Sequence, residues 1–283
     1  MNMKARIIIA ALAVCSLALT GCGNASKTVS GPSSFPKVNQ NGRVGIAAHR
    51  GFWNCEAAGY AQNSIAALKA AQDAGFWGSE LDIHITSDDV VVVNHDNSIG
   101  GINIQKNTYA ALKDVRLKNG EKVPTFDEYL TQGEKSKNTV LVVEFKIQKD
   151  SSREDVLVEK AVELLKAHRM FSPDRVVFIS FSYHICELIA AKYPKFINQY
   201  LNGDKSPQEL AAAGINGMDY NSGVLSRHTE WAAECAGLGM TSNVWTVNEA
   251  SKMKKFIGQG VNTITTNEPL ELRGILGNNE FTK

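Results

Sequence analysis

Along the chain, short runs of apolar and β-branched residues alternate with stretches in which apolar residues recur every three or four positions. The runs are Val44 to His49, Ser79 to Thr86, Val90 to His95, Thr139 to Lys146, Arg175 to Phe181, Ile197 to Leu201, Gly217 to Asn221, Asn243 to Val247 and Asn262 to Asn267. Helical spacing falls between most of them, at Ser64 to Ala74, Glu154 to Ala167, His184 to Lys192, Pro207 to Ala213, Arg227 to Gly237 and Ala250 to Gly258. Alternation of this kind predicts βα units and a parallel sheet. One pair of runs breaks the rule, because only Ser87, Asp88 and Asp89 separate the second run from the third. A parallel crossover needs a dozen or more residues, so these two predict an antiparallel hairpin. Setting aside its return arm leaves eight strands, each followed by a helix or a helix-length gap, which suits a TIM (β/α)8 barrel. The competing architecture, a doubly wound open sheet, would carry a glycine-rich phosphate turn after its first strand, and His49-Arg50-Gly51-Phe52 is no such turn. From about residue 98 to 127 the pattern loosens around Gly100-Gly101, Asn119-Gly120 and Pro124, which predicts a small insertion between the hairpin and the next barrel helix.

Composition adds bounds to this picture. The 283 residues are 43% hydrophobic and 21% charged, ordinary for one globular core. Lys and Arg number 30 against 29 acids, a net charge of +1 that gives no electrostatic footprint for nucleic acid; any phosphate must be met locally. The chain opens with a short basic segment and an apolar run, Ile7 to Leu19, too short to span a bilayer and typical of a secretory signal. Leu19-Thr20-Gly21-Cys22 closes it and resembles the lipobox of bacterial lipoproteins, in which the cysteine is acylated. The expectation is a signal peptide over 1–21, a flexible tether over 22–43 from lipidated Cys22, and a barrel over 44–276. Such a protein would sit in the cell envelope, held to a membrane through its lipid and exposed outside the cytoplasm. Cys55, Cys186 and Cys235 lack metal-type spacing and read as buried or incidental thiols, with one disulfide possible but no pair favoured.

Barrel active sites lie at the C-terminal ends of strands. Four predicted strand ends carry ionisable groups: His49-Arg50, Glu80-Leu81-Asp82, His95-Asp96 and Glu144-Phe145-Lys146. Glu80 and Asp82 are two apart and project to one side of their strand. Two acids there repel unless a cation lies between them, and Glu144 adds a third. Oxygen ligands without cysteine or a paired histidine favour Mg²⁺ or Ca²⁺ over zinc. If the hairpin turns at Asp88-Asp89, residue 95 returns beside residues 81 and 82, so His95 and His49 flank the acids from two sides. Two imidazoles can divide proton acceptance and donation between them, while Arg50 and Lys146 supply positive charge for phosphate oxygens.

Taken in order, His49-Arg50-Gly51, Asn63-Ser64, Glu80-x-Asp82, His95-Asp96, Glu144-x-Lys146 and Trp245-Thr246-Val247-Asn248 resemble the glycerophosphodiester phosphodiesterases, from about Val44 to about Leu276. The resemblance implies a TIM barrel with an insertion and one divalent cation on Glu80, Asp82 and Glu144. It also implies an acid/base pair at His49 and His95, and an aromatic, Trp245, lining the substrate cleft. The implied reaction cleaves a small glycerophosphodiester to an alcohol and glycerol 3-phosphate through a cyclic phosphate. Where the family usually has Pro-Glu-Asn, this chain has Ala61-Gln62-Asn63, so Gln62 brings no charge to a metal shell. Trp53-Asn54-Cys55-Glu56 forms a further local feature after the first strand, placed to line the site. Two other readings stay open: a related phospholipase-type barrel that stops at a cyclic product, and a surface lipoprotein that binds phosphodiesters without cleaving them.

Overall fold

A computed structural model describes residues 43–282. The expected signal segment, the lipobox with Cys22 and nearly all of the expected tether lie outside the described residues. Eight parallel strands close on themselves: β1 (Val44–Ala48), β2 (Gly78–Ile85), β6 (Val140–Phe145), β7 (Val176–Ser180), β8 (Ile197–Tyr200), β9 (Gly217–Asn221), β10 (Thr241–Trp245) and β11 (Thr263–Thr266). Closure is made by β1, which pairs with β11 over four residues and with β2 at Ala47↔Gly78 and Ala48↔Ser79. This is the TIM barrel that the alternation predicted.

The hairpin is present as well. β3 (Val91–Val93) runs antiparallel to β2 with Ile83 opposite Val93, and the Asn94 N–H donates to the Asp82 carbonyl at 3.0 Å. His95 therefore follows immediately beyond the partner of Asp82. Residues 98–127 contain a two-residue ribbon, β4 (Ser98–Ile99) with β5 (Ile102–Asn103), and the short helix α2 (Tyr109–Leu112). They build a small apolar cluster of their own from Ile104, Leu112 and Val123 against Val92 of β3.

Helices surround the barrel: α1 (Ile65–Asp73), α3 (Phe126–Gly133), α4 (Ser151–Ala167), α5 (Tyr183–Lys192), α6 (Pro207–Ala212), α7 (Ser222–Arg227), α8 (Trp231–Gly237), α9 (Ala250–Gln259) and α10 (Pro269–Leu276). Their starts are written in the sequence. Ser64, Asp150 and Ser182 cap α1, α4 and α5, and Thr125 with Glu128 and Ser206 with Glu209 form reciprocal capping boxes on α3 and α6. The helix expected over 227–237 is α8, which starts later, at Trp231, and a short helix, α7, precedes it. Asn221 caps α7 by accepting from Gly223 N–H, so a turn of helix begins at Ser222, and a break around His228 precedes α8.

The apolar layer between strands and helices falls into two clusters, with Phe126, Tyr129, Leu157 and Phe178 in one and Tyr220, Met253 and Phe256 in the other. Inside the barrel Ala47, Trp77, Val142, Val177, Ile179 and Ile197 pack together. The Trp77 indole lies 3.1 Å from where a Cβ would stand on Gly45, so the first strand needs glycine there. A last short strand, β12 (Glu280–Phe281), pairs with the start of β1 and brings Phe281 against this interior cluster, closing the end opposite the strand C-termini. The other half of the interior is polar: Gln199 donates to Thr241 Oγ1 at 3.0 Å, and Asn243 to Thr265 Oγ1 at 2.9 Å. These cross-strand pairs explain why β10 begins two residues before the apolar run that marked it. Thr241, Ser242 and Asn243 are buried but satisfied by their neighbours. Cys55, Cys186 and Cys235 are free thiols, the last two buried. Among the described residues no helix is long and apolar enough to cross a membrane.

Candidate active site

At the C-terminal mouth, β1 ends in a corner that no ordinary residue sequence would adopt. Arg50 and Gly51 are both left-handed, with φ of 55° and 77°. The turn lets Arg50 N–H donate to Glu80 Oε2 at 2.7 Å and Gly51 N–H to the Glu80 carbonyl at 3.0 Å. His49 and Arg50 are thereby fixed against β2. Asn63, also left-handed at φ 55°, clamps the next carboxylate: its amide donates to Asp82 Oδ2 at 2.8 Å while its own N–H holds the Arg50 carbonyl at 2.9 Å.

Glu80, Asp82 and Glu144 are all buried, and one oxygen from each lies within 4.8 Å of the others. Asp82 pairs with Glu144 in the strand register, which brings the carboxylates of β2 and β6 together. Lys146 joins them, 2.7 Å from Glu144 and 3.3 Å from Asp82, and Arg50 Nε is 3.8 Å from Asp82. Burial, then the neighbouring carboxylates, hold Glu80 well above the usual range; burial and Asp82 raise Glu144 to about 7. Burial would lift Asp82 too, but Lys146, His95, Asn63 and Arg50 together bring it below its ordinary value. Burial opposes charge on Lys146, but Glu144 and Asp82 outweigh it and raise its pKa. Three oxygen donors that resist ionising together present the surroundings a divalent cation would relieve, and hard oxygen donors suit Mg²⁺ or Ca²⁺. Gln62 stands apart from this problem: its Oε1 accepts from Arg50 Nη1 at 2.7 Å, so it steadies the guanidinium without neutralising it.

The two histidines differ in their surroundings. His49 Nδ1 is 2.8 Å from Asn267 Oδ1, and the same oxygen accepts from Trp53 Nε1 at 3.1 Å. An indole N–H can only donate, which identifies the Asn267 atom as the oxygen and makes His49 Nδ1 the protonated nitrogen. Burial and then Arg50 lower the His49 pKa to about 4. His95, half-buried at the end of the hairpin arm, has Nδ1 2.7 Å from Asp96 Oδ1. Behind them His84, fully buried and on the same side of β2 as Glu80 and Asp82, holds the His95 carbonyl through Nε2 at 3.3 Å.

A cavity of about 100 Å³ is lined by His49, Arg50, Glu80, His95, Glu144 and Trp245, so the residues singled out in the sequence converge on one space, with Lys146 at its carboxylates. Trp245 both lines and packs: its N–H donates to the Asp219 carbonyl at 3.0 Å and its ring meets Phe181 edge-on at 5.5 Å. Of the loop after β1, Trp53 reaches Asn267 and Asn54 donates to Glu268 at 2.8 Å, while Cys55 turns to the Phe52 carbonyl. His84, Asn267 and Asp219 went unmarked in the sequence. Asp219 lines the same cavity from β9, fully buried, with Oδ1 lacking a hydrogen-bond partner among the described residues.

Comparison with known proteins agrees with this geometry. Residues 49–271 match the model of the glycerophosphoryl diester phosphodiesterase family. A glycerophosphodiester phosphodiesterase of Caldanaerobacter subterraneus subsp. tengcongensis is 26% identical over 239 residues, covering 79% of this chain and 94% of the relative. Among solved structures, a glycerophosphodiester phosphodiesterase from Parabacteroides distasonis is 42% identical with a TM-score of 0.80, covering 83% of this chain and 98% of that one. An Oleispira antarctica phosphodiesterase, in complex with the product sn-glycerol-3-phosphate, shares the fold at 21% identity and a TM-score of 0.71, over 84% of this chain and 98% of that one. The chain belongs to the glycerophosphoryl diester phosphodiesterase family and is a phosphoric diester hydrolase of that kind.

Proposed function

We propose that this enzyme cleaves glycerophosphodiesters to an alcohol and glycerol 3-phosphate in two steps, with His49 as first base and His95 as first acid. The observation that carries this reading is the convergence of two unlike imidazoles, Arg50, Glu80 and Glu144 on one small cavity at the barrel mouth, with Asp82 and Lys146 against the same carboxylates.

His49 suits the base. Its Nδ1 proton is committed to Asn267, which leaves Nε2 unprotonated, and its depressed pKa keeps the ring neutral at pH 7. It would take the proton of the glycerol hydroxyl adjacent to the phosphodiester as that oxygen attacks phosphorus. His95 suits the acid by position, because it lines the same cavity with its ring oriented by Asp96 2.7 Å from Nδ1, and the departing alkoxide takes a proton from it. The P–O bond to the headgroup breaks as the new P–O bond closes a five-membered cyclic phosphate. Water then opens the ring with the duties exchanged. Arg50 and Lys146 meet the charge on the phosphoryl oxygens.

Glu80, Asp82 and Glu144 would hold one divalent cation, Mg²⁺ or Ca²⁺, which when bound supplies Lewis-acid stabilisation of phosphoryl charge. The sequence features at Cys22 support a lipid-anchored enzyme outside the cytoplasm, with the tether setting the barrel off the membrane.

Phosphorus NMR during turnover tests the two-step scheme. Glycerol 3-phosphate as the end product, with a transient cyclic phosphate, is expected. Accumulation of the cyclic phosphate as final product would replace this reading with the phospholipase-type one, and binding without turnover would replace it with the non-catalytic one.

A further inference from the structure

The space at the barrel mouth has two lobes that share Glu144 and Phe181. The inner lobe, of about 100 Å³, contains His49, His95, Glu80, Asp219 and Trp245. The second, open and about 480 Å³, is walled by Asn97, Gln105, Lys146, Gln148 and Lys149. His49 and His95 both line the inner lobe, and Asn97, two residues beyond His95, lies in the wall of the open one. The hairpin arm that bears the acid serving the departing alcohol thus continues into the wall of the open lobe, on the side away from His49. Glycerol then occupies the inner lobe, where Asp219 Oδ1, without a partner among the described residues, can accept from one of its hydroxyls. The headgroup extends into the open lobe.

The wall of the open lobe is made of amides and ammonium groups. Gln105 is fully engaged, donating to the Ile147 carbonyl at 3.1 Å and accepting from Lys149 N–H at 2.8 Å, so it ties the insertion to the loop after β6 as a fixed surface. Gln148 donates to the Lys146 carbonyl at 2.7 Å, and its Oε1 is buried without a partner among the described residues, open to a hydroxyl donor. The lining contains one carboxylate, Glu144, already bound to Lys146. It contains one aromatic ring, Phe181, with Lys146 Nζ over it at 6.0 Å and Trp245 against its edge. A quaternary ammonium is recognised by open aromatic faces or a free carboxylate, and neither lines this lobe. Hydroxyls find acceptors and donors there, and the two ammonium groups of the wall, Lys146 on Glu144 and Lys149 3.7 Å from Asp150, leave no unpaired acid to attract a cation.

Resting on the glycerophosphodiesterase reading above, we propose that the open lobe selects a hydroxylated, non-cationic headgroup such as glycerol or inositol and disfavours choline.

The test compares kcat/KM, by glycerol 3-phosphate release, for glycerophosphoglycerol, glycerophosphoinositol and glycerophosphocholine, in the wild-type chain and in Lys149→Glu. Lys149 is exposed, so the variant changes the charge of the wall and spares the core. Both polyol diesters should exceed the choline diester by about tenfold or more, a difference of about 1.4 kcal/mol. Lys149→Glu should narrow that ratio several-fold, mainly through KM. A choline diester cleaved as well as the polyol diesters, or a ratio that Lys149→Glu leaves in place, would overturn the inference while the parent reading stands. Hydrolysis of none of the three would overturn the parent reading and the inference with it.

Discussion

Replacing Gly51 with alanine probes the corner that sets His49 and Arg50 against the carboxylates. Gly51 is left-handed, and a Cβ there would lie 2.6 Å from Ala67 Cβ and 2.8 Å from the Ala67 carbonyl carbon in α1. Ala67 cannot give way: it is fully buried, and its carbonyl accepts from Phe52 N–H at 3.0 Å. The left-handed backbone costs an alanine about 1–2 kcal/mol. Overpacking against a fixed helix adds about 1–3 kcal/mol. The sum, about 2–5 kcal/mol, lowers the melting temperature of a domain this size by about 5–20 °C. Activity should fall further than the loss of folded protein explains, because the corner also carries the two backbone hydrogen bonds to Glu80. Thermal melts followed by circular dichroism, then turnover measured well below the transition, would check both parts. A variant that melts with the wild type and keeps full activity would refute the steric reasoning.

Three other expectations follow from the site and its scaffold. Adding Ca²⁺ or Mg²⁺ should raise the melting temperature, by about 2.7 kcal/mol of stability at a hundred times Kd, whereas Glu144→Gln should lose that response and be no less stable without the ion, since it relieves repulsion among buried carboxylates. His49→Gln and His95→Gln should each lower kcat by about 10²–10⁴-fold with the fold retained, as seen by circular dichroism. His168 bridges α3 and α4, 2.9 Å from Asp127 and 2.5 Å from Glu134; burial opposes its charge, but the two acids raise its pKa above the ordinary value. Because the folded pKa exceeds the unfolded one, the stabilisation is complete below about pH 6.5 and is lost as pH rises through the folded value. His168→Gln should therefore cost up to about 1 kcal/mol at pH 5.5 and much less at pH 9 in urea melts, allowing for solvent screening.

The fold was legible because its signals are local. A three-residue gap can only make a hairpin, Ser64 and Thr125 announce helix starts, and eight spaced apolar runs leave few architectures. The carboxylates were legible for a related reason: Glu80-x-Asp82 and Glu144-x-Lys146 sit in apolar strands, where charges on one face demand a partner. What stayed hidden was set by contacts across the chain. Asn267 meets His49 from 218 residues away, and nothing around it distinguishes it from a turn residue. Asp219 lies in a strand whose polar residues look solvent-facing until the barrel closes around them. His84 shares the parity of Glu80 and Asp82 but carries no charge pattern to mark it. Gln62 looked like a gap in a metal shell, and only the folded corner places it on Arg50 instead.

The central claim is that these residues form a cation-dependent glycerophosphodiesterase. Release of glycerol 3-phosphate from a panel of glycerophosphodiesters, with added Mg²⁺ or Ca²⁺, with EDTA, and with His49→Ala as control, tests it most directly. A cation-dependent enzyme of this kind gives product that EDTA abolishes, that the cation restores and that the variant does not make. Product unaffected by EDTA would contradict the role given to Glu80, Asp82 and Glu144, and no product from any diester in the presence of either ion would contradict the claim itself.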